Sequence, residues 1–113
     1  MSSKKRVRQH IQSRLDEGCT RKDFAGEMGF ESPNYVSMLM GDNYPTTLLS
    51  PNRIESFAKA CDLSDRETML LALARLRDAG EKPVEMSADT LLFLLKTYGE
   101  LVKERYVLTR RPT

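Results

Sequence analysis

Asn34, Tyr35, Ser37 and Met38 are the side chains of this sequence whose types and spacing could do specific chemistry. In one short stretch they bring together an amide with donor and acceptor side by side, a hydroxyl that does either, and two side chains with apolar bodies. On a helix, Asn34, Ser37 and Met38 fall largely on one side, while Val36 and Leu39 point the other way. A small uncharged face of this kind matches the edges of nucleic-acid bases. Asn34 could make a paired hydrogen bond to adenine, Ser37 could donate or accept, and Met38 or Tyr35 could touch a thymine methyl. Ser32 stands just ahead and joins the same candidate set. Two fates stay open for Tyr35, in a groove or in the core, since its ring suits both.

Other chemistries find no footing. An enzyme needs a nucleophile with its base, an acid–base pair, a metal cluster or a phosphate cradle, and none is recognisable here. The six glycines are scattered, with no G-x-G-x-x-G or P-loop spacing. Cys19 and Cys61 lack the spacing and the histidine partners of a zinc site and read as reduced structural thiols. His10 lies in a basic stretch and reads as solvated. Asp16 with Glu17, and Glu100 with Glu104, read as surface charges. No catalytic residue, metal, cofactor or small-molecule site is expected.

The candidate face needs a helix beneath it and a second helix to hold it. Thr20 and Asp23 have the spacing of a capping box, and Phe24 opens the apolar periodicity of a helix that Gly29 ends. Ser32 then reads as an N-cap with Pro33 in the first turn, so a second helix should run over 33–40 and close at Gly41. This pair resembles the lambda-repressor-like (Xre/Cro) helix-turn-helix family. Ala25 matches the small residue where the two helices cross, Gly29 the turn glycine, Gly41 the closing glycine, and Val36-Ser37 the family's apolar-Ser pair. The resemblance covers roughly residues 5–80. It implies a sequence-specific DNA-binding regulator, most concretely a dimeric repressor, whose second helix lies in the major groove of double-stranded DNA. The alternative is a protein-interaction module on the same fold, such as an antitoxin or adaptor.

Charge distribution bears on that choice. Residues 1–22 carry a net +5, residues 23–62 a net −4 and residues 63–113 a net +1. Lys4, Lys5, Arg6, Arg8, Arg14, Arg21 and Lys22 gather the positive charge at the front, where members of the family meet phosphates. Arg6, Arg21 and Lys22, with Asn43 and Thr46 from the turn-rich stretch 42–47, are the expected phosphate contacts. That stretch could equally be a plain connector. The acidic middle, and the lack of Lys or Arg over 33–40, favour the interaction-module reading, because phosphate binding needs positive charge.

The remaining chain completes an all-α expectation. Helices are predicted over 4–17 from Val7, Ile11 and Leu15, over 51–61 from Ile54, Phe57, Ala58 and Cys61, and over 65–80 after a cap at Ser64. Residues 1–80 thus form a five-helix domain, 81–87 a linker, 88–108 an amphipathic C-terminal helix and 109–113 a tail. Leu91, Leu94, Leu95, Tyr98, Leu101 and Val102 make that last helix too apolar to stand alone in water. It either meets its copy in a homodimer or completes the monomer core. With no apolar run near the ~20 residues a membrane span needs, and no leader-like start, a cytoplasmic protein is expected.

Overall fold

Most of the helices start where a side chain can take up unpaired N–H groups. The computed structural model describes residues 2–41 and 47–109, with side chains to residue 104. Ser2 caps α1 (Ser3–Asp16) by accepting from the Lys5 N–H. Thr20 and Asp23 close both halves of a capping box on α2 (Arg21–Met28), at 3.1 and 3.4 Å. After α3 (Asn34–Met40), the helix expected over 51–61 opens as a single 3-10 turn, Pro51–Arg53, before α4 (Ile54–Ala60). Ser64 caps α5 (Asp65–Ala79), and the Ser87 hydroxyl accepts from the Thr90 N–H at the start of α6 (Ala88–Thr109). The described residues are all-helical, with six α-helices and no strand.

Helix ends are as well specified. Gly29 has φ of +72°, a left-handed conformation that a side chain would strain. It lets the Gly29 and Phe30 N–H groups turn back to the carbonyls of Gly26 and Ala25. Asp62 does the same work after α4 with φ of +51°. Gly41, expected as a closing glycine, is instead extended (φ −78°, ψ 143°), a conformation open to any residue. The end of α3 is therefore satisfied by something other than a glycine turn.

Apolar periodicity then sets the packing. Val7 and Ile11 from α1, Phe24 and Met28 from α2, Val36 and Leu39 from α3, Ile54 and Phe57 from α4, and Leu71 from α5 share one buried cluster. Phe24 and Phe57 meet edge to face at 6.0 Å. α1 packs on α3 and α5, and α2 on α3 and α4.

The expectation for α6 had two branches, and the packing divides the helix between them. Two adjacent stripes run along it, with Leu92 outside both at 63% exposure. Thr90, Leu94, Thr97 and Leu101 face the body, with Leu94 inside the core cluster at 8% exposure. Leu91, Leu95, Tyr98 and Val102 remain 47–57% exposed. The helix does not stand apart on its linker. It lies against α5 and α4, and the Asn52 side chain accepts from the Ser87 N–H (2.8 Å) and the Thr90 hydroxyl (3.1 Å). Leu94 therefore belongs to the monomer core and not to a dimer seam, and Leu101 shares its side of the helix.

His10, expected in solvent, is 26% exposed, with its ring against Phe57 (6.1 Å) and Nε2 at 4.0 Å from Glu67. Burial lowers its pKa, Glu67 partly opposes this, and Arg6 adds to the lowering. The unfolded chain then protonates His10 at a higher pH than the native chain, so native stability declines as pH falls through about 6.5. We expect urea midpoints to fall between pH 7.5 and 5.5, and His10→Gln to flatten that decline. An unaltered pH profile in the variant would assign the decline to other groups.

Candidate nucleic-acid interface

α3 is a helix of seven residues with no charge of its own, too short to be stable in isolation. The carbonyls of its last turn lack intrahelical partners. Two cations from α1, one turn apart, supply them. Lys4 Nζ donates to the carbonyls of Met38 (3.0 Å) and Thr47 (3.1 Å), and Arg8 Nε donates to the carbonyl of Met40 (2.8 Å). Positive charge here also complements the negative end of the helix dipole. Lys4 in addition ties α3 to the chain that returns beyond residue 46.

The other end of α3 is held through the turn. The Ser32 hydroxyl accepts from the Asn34 N–H at 3.1 Å, which makes Ser32 a cap. Arg53 Nη1 donates to the carbonyl of Met28, the last residue of α2 (3.0 Å), and its guanidinium lies 5.4 Å from the Phe30 ring centroid. Phe30 in turn meets Tyr35 edge to face at 4.5 Å. This answers the open question about Tyr35: its ring is half-buried against the core, as part of the turn's packing.

What α3 presents outward is narrower than the five residues expected. Asn34 is exposed at its start, and Ser37 and Met38 are half-buried. Arg21, the first residue of α2, donates from Nη1 to the Ser37 hydroxyl at 2.8 Å, which holds the serine oxygen and leaves its O–H to donate elsewhere. Arg8, Gln9, Gln12, Arg21, Ser37, Met40 and Gly41 line an open cleft between α1 and the helix pair. Gln9 and Gln12 were not anticipated. Their three-residue spacing, set against the Lys4/Arg8 edge, was the available signal.

The expected phosphate contacts separate. Arg21 borders the cleft. Lys22, the next residue round α2, lines a different hollow with Arg14, Cys19, Asp23, Gly26 and Glu27, where carboxylates stand beside it. Arg6 is two residues from both Lys4 and Arg8, about 200° round the helix, on the side that carries His10. It does not join the Arg21 cleft. Asn43 and Thr46 lie outside the described residues. Arg14 pairs with Glu17 and Glu27, each at 3.2 Å, which joins α1 to α2.

Among the described residues no group of three or more His, Cys, Asp or Glu could hold a metal, and no helix is long and apolar enough to cross a membrane. Burial raises the thiol pKa of Cys61 to about 12 and that of Cys19 above its usual value, so neither is activated as a thiolate. Comparison with protein-family models, curated proteins and solved structures finds no match.

The clamp predicts a stability effect located in α3. Lys4→Met or Arg8→Met keeps the apolar stem and leaves a helix-end carbonyl without its charged donor, at a cost of about 1–2 kcal/mol each. Hydrogen exchange should rise first at the α3 amides. Unchanged stability and protection in both variants would show that water replaces these donors without loss.

Proposed function

We propose that this chain is a sequence-specific DNA-binding regulator of the helix-turn-helix kind, acting as a homodimer, with α3 entering the major groove of double-stranded DNA. One observation carries the reading: Asn34 and Ser37 lie on an uncharged helix bordered by Arg21 and by the amides of Gln9 and Gln12. A groove-reading helix needs groups that recognise base edges at its centre and donors to phosphate at its margins. Asn34 suits adenine, Ser37 suits either donor or acceptor edges, and Met38 adds apolar contact. Arg21, Gln9 and Gln12 then serve the backbone. A homodimer doubles the few bases that one short helix reads into an inverted repeat.

A second reading keeps the fold and drops the DNA, as an antitoxin or adaptor would. It is favoured by the donation of Lys4 and Arg8 to backbone carbonyls, which engages two of the frontal cations within the chain. The two readings part on selection from a random duplex library with the purified protein. The DNA reading predicts enrichment of an inverted repeat, and recovery of no consensus would favour the adaptor.

On the selected site, Asn34→Ala should cost roughly 1–3 kcal/mol while binding to random DNA changes little. Arg21→Ala should weaken both and flatten the log–log salt dependence by about one unit. An equal loss on both DNAs for Asn34→Ala would remove it from base reading, and an unchanged salt slope for Arg21→Ala would remove that residue from the backbone.

A further inference from the structure

Every large apolar side chain that is exposed among the described residues lies on α5 or α6. On α6 the exposed stripe of Leu91, Leu95, Tyr98 and Val102 repeats at intervals of four, three and four, the spacing of a helix-packing seam. Lys96, Glu100 and Lys103 lie on the opposite side of the helix and remain in water. Leu92, 63% exposed, stands one turn before Lys96 and widens the apolar surface at the start of the helix.

Thr90 meets Asn52 in the 3-10 turn ahead of α4, Leu94 enters the core, and the exposed stripe lies past Leu94 round the helix. On α5, the Asp78 carboxylate accepts from the Ser3 N–H (3.0 Å) and Glu67 approaches His10, which fixes the edge facing α1. Leu73 and Leu76, 52% and 42% exposed, project from the part of α5 turned away from that edge. α5 and α6 pack along each other, so the two apolar rows stand on neighbouring helices.

We infer that the α5 and α6 rows form a single docking face and that its occupant is a second copy of this chain, with two helices from each copy making a four-helix interface. The inference rests on the dimeric reading above and adds α5 to it. The amount of surface decides for a stable partner. Side chains about half exposed on two helices leave on the order of 600 Å² of apolar surface, at the upper end of what a monomer commonly leaves open. With a polar rim this approaches the roughly 800 Å² that each partner contributes to a standard interface. A second copy presents the same two rows, so a two-fold axis between them matches apolar surface to apolar surface with no further requirement.

Sedimentation equilibrium of the full chain tests this. The chain mass is 12.9 kDa, and wild type should sediment at twice that value at micromolar concentration. Leu73→Glu and Leu95→Glu, one on each helix, should each shift the mass to the monomer value while the circular dichroism and thermal melt of the monomer persist. Leu73→Gln and Leu95→Gln serve the same purpose if a glutamate variant fails to fold, and should weaken self-association at least tenfold. A monomeric wild type at 100 μM would overturn the inference. So would a Leu73 variant that folds and remains as dimeric as wild type, because α5 would then lie outside the interface. Dimeric wild type without selective DNA binding would leave this interface standing and sink the DNA reading. Selective binding by a wild-type monomer would do the reverse.

Discussion

The contact on which the rest of the structure depends is the reach of Lys4 and Arg8 from α1 to the C-terminal carbonyls of α3. A seven-residue helix with no internal charge pair, no closing glycine turn and an uncharged outer face contributes little to its own persistence. Its apolar side, Val36 and Leu39, seats it on the core, but burial leaves the helix-end carbonyls to be satisfied. Supplying donors from α1 satisfies them, opposes the helix dipole and sets the direction of α3 relative to α1. The cleft between those helices, and the side chains it brings together, follow from that one arrangement.

The same device recurs. Arg53 donates to the last carbonyl of α2, and Arg75 Nε donates to the Leu49 carbonyl on the far side of the loop. In each case a cation from one segment donates to a backbone carbonyl of another. This explains why a front-loaded positive charge need not mean a broad phosphate-binding surface. Two of the frontal cations, Lys4 and Arg8, are engaged by backbone carbonyls, and the cation that borders the candidate reading helix, Arg21, is itself bonded to Ser37. Specificity in such an interface would come from hydrogen-bond geometry more than from overall attraction, in keeping with a small net charge.

Much of this was legible beforehand because it was local. The capping box at Thr20 and Asp23, the turn at Gly29, the cap at Ser64 and the four-residue apolar spacing of α1 each depend on residues within one or two turns. What the sequence hid was long-range. Lys4 and Arg8 read as part of the frontal positive cluster because their acceptors lie more than 30 residues away. The ring of Tyr35 found Phe30, and the guanidinium over it comes from Arg53. Leu94 and Leu95 are neighbours of one chemical type, and only the docking of α6 against α5 and α4 assigns the first to the core and the second to the surface. Gly41 misled for the opposite reason: a glycine after a helix implies a left-handed turn, and here the carbonyls were already satisfied from outside.

We propose that α3, held from α1 and flanked by Arg21, is the surface that meets DNA. Backbone amide and side-chain amide chemical shifts of isotopically labelled protein, followed during titration with duplex DNA, read that surface directly. The account predicts that the largest changes fall on Asn34, Ser37, Gln9, Gln12 and Arg21. It also predicts that a matched site moves the Asn34 side-chain amide more than a scrambled duplex of equal length does. Changes confined to α5 and α6, or an α3 that stays silent while DNA binds, would contradict it.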